Sequence, residues 1–163
     1  METEILQLSA QIGARLTALG AKVTCAESCT GGWIAKSITD VAGSSGWFDY
    51  GFVTYSNQAK QRLIGVSENT LTHYGAVSEQ TVREMAQGAL RAAGADYSLS
   101  VSGIAGPDGG SDEKPVGTVW FGWCDKHGNL LAREMLFLGD RHAVRLQAVR
   151  FALQMLLDGF LQK

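Results

Sequence analysis

A chain of 163 residues, 45% of them apolar and 18% charged, has the size and balance of one globular domain. A net charge of −2 excludes the basic stripe that nucleic-acid binding requires, and no apolar run approaches the ~20 residues of a membrane span. The acidic, amphipathic start METEILQLSAQIGARL is unlike a signal peptide, and Cys25, Cys29 and Cys124 lack zinc-type pairing, so reduced thiols in the cytoplasm are expected.

Ile5, Leu8, Ile12, Leu16 and Leu19 fall at helical spacing, and Gly20 ends that helix. The β-branched stretch Val23-Thr24-Cys25 predicts a strand. After Glu27-Ser28-Cys29-Thr30-Gly31-Gly32, helical spacing resumes at Ile34, Ile38 and Val41. A second strand is expected over Gly51–Tyr55, then helical turns and loop from Asn57 to Tyr74. Ser78 is a good N-cap for a helix that carries Val82, Met85, Ala86, Ala89, Leu90 and Ala93 on one face and stops at Gly94. Tyr97–Val101 predicts a third strand, with Ser98 and Ser100 on one face, small enough for a helix to pack closely. It runs into the glycine-rich loop Ser102–Gly110. Gly117–Cys124 and Leu130–Leu138 flank Lys126-His127-Gly128-Asn129 as an antiparallel hairpin. A last helix starts near Asp140, with Leu146, Val149, Leu153, Leu156 and Phe160 on one face.

Strands alternating with helices favour parallel pairing with right-handed crossovers, and the hairpin adds antiparallel strands. The expectation is a single three-layer α/β/α domain over residues 1–163, built on a mixed, partly parallel sheet. Ligands in such folds bind outside the carboxyl ends of the parallel strands. Three segments belong there: Glu27 to Gly32, Tyr55 to Lys60, and Ser102 to Gly110.

In the first, Ser28 stands at a strand end before two glycines that open a helix. Unpaired amides at a helix start can stabilise an oxyanion, which makes Thr30, Gly31 and Gly32 candidate donors. Ser28 or Thr30 would equally serve as a plain cap, with the glycines forming a tight turn. In the second, Lys60 falls on the first turn of a helix starting at Asn57. A lysine of depressed pKa, or a tyrosine helped by lysine, can replace histidine as the base for a serine. His73, His127 and His142 have no evident place in a Ser-His-Asp set. A solvated Lys60 and a core Tyr55 are the plainer reading of the same residues. The third segment offers many backbone amides to an anion, or is a surface loop; it matches neither G-x-x-x-x-G-K-[ST] nor G-x-G-x-x-G. Arg141 opens the last helix, where a cation opposes the dipole; a negative ligand or a surface salt bridge would each account for it.

The stretches AESCTGGWIAKSITDVAGSS, YGFVTYSNQAK, GAVSEQTVREMA, SGIAGPDGGSDEKPVGTVWFG and GDR cover nearly the whole chain. Together they resemble the C-terminal domain of the CinA family, in the form that stands alone as a nicotinamide-nucleotide amidohydrolase. The resemblance implies hydrolysis of the carboxamide of nicotinamide mononucleotide (NMN) to nicotinic acid mononucleotide and ammonia, in pyridine-nucleotide (NAD) salvage. No metal or other cofactor is implied, and the pyrophosphatase-type domain of longer family members, with its activity, is expected to be missing. Residue by residue, the family's serine falls on Ser28, its tyrosine on Tyr55, its lysine on Lys60 and its phosphate-side arginine on Arg141. The hydroxyl opening the glycine loop falls on Ser102, where many members carry threonine; Gly103 and Gly106 belong to the same substrate loop.

These readings combine into one expectation. Ser28 attacks the carboxamide, Lys60 and Tyr55 relay the proton in an order left open, Thr30 to Gly32 hold the oxyanion, and Arg141 with the 102–110 loop anchors the phosphate. The chain is expected to be a cytoplasmic homo-oligomer whose partner is a small-molecule substrate, without nucleic acid or membrane. Two alternatives stand: a nucleotide-binding or partner domain without turnover, and cysteine chemistry at Cys29 beside an uninvolved Ser28.

Overall fold

The computed structural model describes residues 1–162. In chain order the elements are α1 (Glu2–Leu19), β1 (Val23–Glu27), α2 (Trp33–Thr39), β2 (Phe48–Val53), α3 (Asn57–Ile64), α4 (Glu68–Tyr74), α5 (Glu79–Ala93), β3 (Tyr97–Gly103), β4 (Thr118–Asp125), β5 (Leu130–Leu136) and α6 (Arg141–Leu156). A 3-10 turn (Ser44–Gly46) precedes β2, and a π-helical turn (Leu157–Leu161) extends α6.

The helix ends follow local chemistry. Ser56, Ser78 and Asp140 accept through their side chains from the amides of Ala59, Thr81 and Ala143, which starts α3, α5 and α6. The 57–74 stretch is two helices, because Gly65 ends α3 in a left-handed conformation and Ser67 caps α4. β2 begins at Phe48 and stops at Val53, earlier at both ends than the sequence pattern indicates. It is an edge strand whose register is dictated by β1, and Glu27 already lies opposite Val53. Beyond it the Thr54 amide reaches the Glu27 carbonyl at 2.8 Å, and the chain then turns toward the Ser56 cap.

The sheet order is β2-β1-β3-β4-β5, parallel across the first three strands and antiparallel across the last three. This is the expected mixed α/β sheet with helices on both sides. α1, α2 and α6 cover one face over Ile12, Leu16, Ile34, Ile38, Phe121, Trp123 and Leu153, all fully buried. α5 covers the other over Ala26, Val82, Met85 and Ala89, joined by Ile64 and Leu71 from α3 and α4. Ser100 of β3 has the use expected of it, and Gly122 of β4 shares it. Ser100 donates to the Val82 carbonyl at 2.6 Å, and a Cβ at Gly122 would meet that same carbonyl at 2.6 Å, so α5 lies directly on the strands.

Register then places the site. Glu27 faces Val53 on one side and Val101 on the other, so β1 and β2 end level beside Val101 and β3 runs two residues farther, to Gly103. Among the described residues, no helix is long and apolar enough to cross a membrane.

Candidate active site

Ser28 leaves β1 with its amide still bonded to the Val101 carbonyl of β3 (3.0 Å), so its backbone is fixed by the sheet. The chain then turns sharply: the Gly31 amide donates to the Ser28 carbonyl (3.0 Å), and Gly31 and Gly32 take φ of 59° and 102°. Only glycine adopts such angles without strain, which is why two glycines follow the hydroxyl residue. The turn leaves the Ser28 side chain at the floor of a cavity of about 280 Å³.

Lys60 reaches the same point from α3. It is 1% exposed, and its Nζ lies 3.1 Å from Ser28 Oγ and 3.2 Å from the Tyr55 carbonyl. No carboxylate forms a salt bridge with it among the described residues. Burial pushes its pKa below the ordinary lysine value, opposed only by the neighbouring Cys29 thiol. A lysine in this state can be neutral at lower pH than usual and accept the serine proton directly.

Tyr55 contributes its main chain to this pair, and its side chain goes elsewhere. The carbonyl accepts from Lys60 and, at 3.4 Å, from Ser28 Oγ; the phenol hydroxyl accepts from Arg141 Nη2 at 3.1 Å, and the residue is 59% exposed. Of the two residues between which the base was left open, the Lys60 amine is in contact with Ser28 and the Tyr55 phenol is not. Arg141 also donates to the Gly106 carbonyl (2.8 Å), so it ties the β2 exit, the glycine loop and the start of α6 together at the cavity mouth. Gly106 turns there with φ of 87°, and a Cβ on it would run into Val116.

Ser102, Gly103, Gly106 and Arg141 all line the Ser28 cavity, as do Cys29, Asn57, Val77 and Asp108. Asn57, Val77 and Asp108 carry no signal that separates them from loop residues in sequence.

Thr30, Gly31 and Gly32 are not brought to this cavity. They line a separate depression with Trp33, Lys36 and Arg145. The Gly31 amide is spent on Ser28, and the first amides of α2 are taken from within the protein. Glu27 is fully buried, and its carboxylate accepts from Ile34 N (2.8 Å), Ala35 N (2.9 Å) and Thr30 Oγ1 (2.6 Å). The three residues expected to hold an oxyanion therefore face away from the Ser28 cavity, and the turn residue that lines it beside Ser28 is Cys29.

Glu27 thus has a place that the sequence reading did not assign, although an acid inside an otherwise apolar and hydroxylic strand was the available signal. Arg145 is the second omission. It donates to the carbonyls of Cys29 (3.0 Å) and Thr30 (3.2 Å), and its i,i+4 spacing from Arg141 was visible.

The Cys29 thiol is buried, and burial followed by the Glu27 charge pushes its pKa up to about 12. A thiol so held is a poor nucleophile near neutral pH. Among the described residues no histidine lines the cavity; His142 packs its ring against Trp33 at 5.3 Å. In a larger depression of about 430 Å³ between α1 and α2, the Ser37 hydroxyl is bonded to the Trp33 carbonyl and Lys36 to Asp40, so the two form no pair like Ser28 and Lys60.

The chain is similar to known proteins over nearly its whole length. The family described as the CinA C-terminal domain matches residues 5–160. The chain is 66% identical over 161 residues to the nicotinamide-nucleotide amidohydrolase PncC of Enterobacter agglomerans, covering 99% of this chain and 98% of the relative. It is 63% identical over 161 residues, with the same coverage, to the protein of that name from Escherichia coli K12. Among solved structures, the competence/damage inducible protein CihA of Agrobacterium tumefaciens superposes with a TM-score of 0.93 at 49% identity, over 94% of each chain.

Proposed function

The chain belongs to the CinA C-terminal-domain family, and from that membership and the cavity chemistry we propose that it hydrolyses the carboxamide of NMN through Ser28, as a cytoplasmic homo-oligomeric enzyme of pyridine-nucleotide salvage. The observation that carries the reading is the 3.1 Å contact between a buried, acid-free Lys60 Nζ and Ser28 Oγ at the floor of the cavity.

Neutral Lys60 takes the Ser28 proton as Oγ attacks the carboxamide carbon. The C=O electrons move onto oxygen, for which the Cys29 amide is assigned as donor by its place after Ser28, the position that the residue after the nucleophile fills in other strand–turn–helix hydrolases. As the tetrahedral species collapses, the C–N bond breaks and Lys60 returns its proton to nitrogen, so ammonia leaves. Water then attacks the ester carbon with Lys60 again as base, which releases nicotinic acid mononucleotide and restores Ser28. Tyr55 and Arg141, linked at the mouth, are the side chains the substrate meets on entry.

The deciding experiment is incubation of purified protein with NMN, nicotinamide riboside, nicotinamide and NAD, with ammonia as readout. Release from NMN alone, or from NMN far above the rest, is expected. Binding of NMN without ammonia would instead establish a nucleotide-binding domain.

Arg141 gives a second test. If it reads the 5′-phosphate, Arg141→Ala should cost NMN about 1.5–3 kcal/mol, the range for hydrogen bonds to charged groups. That is roughly 10- to 150-fold in kcat/KM. Nicotinamide riboside, a poor substrate for the parent, should lose little more. Equal losses for both substrates would show that Arg141 serves the fold through Gly106 and Tyr55 instead.

Activity is also expected to survive prolonged EDTA. The carbonyl is activated by a backbone donor in this reading, and among the described residues no group of three His, Cys, Asp or Glu is placed to hold a metal. Loss on EDTA treatment, restored by one divalent ion, would overturn the proposal.

A further inference from the structure

Arg145 lies one turn beyond Arg141 on α6 and faces the nucleophile turn, not the cavity. Its Nε donates to the Cys29 carbonyl at 3.0 Å and its Nη2 to the Thr30 carbonyl at 3.2 Å, with the guanidinium carbon 5.7 Å from the Trp33 ring centroid. It has no salt-bridge partner among the described residues. A charged fork is therefore committed to two consecutive neutral carbonyls immediately after Ser28.

The consequence follows from peptide planarity. In a trans peptide the C=O and the next N–H point in opposite directions, so whatever fixes one fixes the other. Holding the Thr30 carbonyl fixes the Gly31 amide, and that amide is what holds the Ser28 carbonyl at 3.0 Å. The Ser28 carbonyl in turn sets the direction of the Cys29 amide. Arg145 thus lies two rigid planes upstream of the Cys29 amide, the donor that the proposed mechanism assigns to the oxyanion. From the interior, Glu27 takes the Thr30 hydroxyl and closes the grip on the same turn.

We propose that Arg145 is a positioning residue for acyl transfer, holding the peptide planes of residues 28–31 that set the placement of Ser28 and of the Cys29 amide. The inference rests on Ser28 being the nucleophile. It assigns Arg145 no contact with substrate, in contrast to Arg141 on the same helix face.

Steady-state kinetics on NMN with the full chain carrying Arg145→Ala or Arg145→Lys test it, alongside melting temperature and the pH profile. A small misplacement of catalytic geometry costs up to about 100-fold in rate, so Arg145→Ala should lower kcat by roughly 10- to 100-fold. KM should stay within about 2-fold, because the lost interaction matters in the transition state. The pH midpoint of kcat/KM should not move, since Lys60 is untouched. Arg145→Lys keeps the charge but offers one compact ammonium to two carbonyls, and should recover only part of the rate.

An unchanged kcat in Arg145→Ala overturns the inference. A raised KM with kcat preserved overturns it too, by making Arg145 a substrate ligand, and a displaced pH midpoint does so by making it a modulator of the base. Should Arg145→Ala fail to fold, a fully active Arg145→Lys would be equally fatal. Turnover in Ser28→Ala would remove the premise itself. An inactive Ser28→Ala together with a parent-like Arg145→Ala would defeat this inference alone.

Discussion

Ser28→Ala is expected to abolish ammonia release from NMN, by about 10⁴-fold or more, the scale on which removal of a nucleophile acts in serine hydrolases. Stability should barely change. Ser28 Oγ makes one good side-chain contact, with Lys60, and a long one to the Tyr55 carbonyl, while Lys60 keeps that carbonyl as a partner after the substitution. A net loss of about 1 kcal/mol is the scale of one hydrogen bond. At this chain length that is roughly 2–4 °C in melting temperature. The companion variant, Cys29→Ala, should retain most of its activity, because a thiol pushed up to about 12 stays protonated where the enzyme works. Both residues neighbour the same turn, so a disrupted turn would damage them alike; the contrast between the variants separates chemistry from folding. An active Ser28→Ala with a dead Cys29→Ala would move the nucleophile to sulfur and overturn the central proposal.

What could be read from the sequence follows how local each feature is. Helix starts at Ser56, Ser78 and Asp140 and stops at Gly20, Gly65 and Gly94 are set by a few neighbouring atoms, and those signals stand in the sequence. The register of β1 with β2 and β3 follows from parallel pairing, so the meeting of residues near 28, 55 and 102 was foreseeable. Side-chain direction was not. Tyr55 and Lys60 are five residues apart and both belong to the predicted site, yet only the lysine turns inward. The cap at Ser56 starts α3 so that Lys60 points back to Ser28, while the Tyr55 phenol is drawn out to Arg141. The amides of a helix start looked available in one dimension because nothing there shows that the preceding acid folds back onto them. Glu27 takes the Ile34 and Ala35 amides just beyond the donors that the pattern assigned, so the anion the α2 terminus favours is internal. Arg145 was hidden for the same reason: its partners are carbonyls more than a hundred positions away in the chain.

The base is where function and stability should part most clearly. Lys60→Met is expected to be inactive, by the roughly 10²–10⁴-fold that general-base catalysis contributes or more, yet no less stable than the parent near neutral pH. Burying an ammonium without an acid partner costs free energy that an apolar side chain of similar length avoids. The pH dependence carries the sign. An unfolded lysine titrates near 10.4, and in the native protein burial places the Lys60 value lower. Between those two values the unfolded chain binds more protons, so the parent gains stability as pH rises through that window. Below it the penalty is present in full. The advantage of Lys60→Met should accordingly be greatest at pH below the native Lys60 value and shrink as pH climbs past it. Over the same range the parent's kcat/KM should rise as the amine loses its proton. Lys60→Arg supplies the matching control: a guanidinium keeps the charge but cannot be deprotonated, so it should be nearly inactive at every pH. A Lys60→Met protein that melts well below the parent at pH 7 would mean that the lysine is a structural strut. Substantial turnover in Lys60→Arg would leave Lys60 an electrostatic role and return the proton transfer to another group.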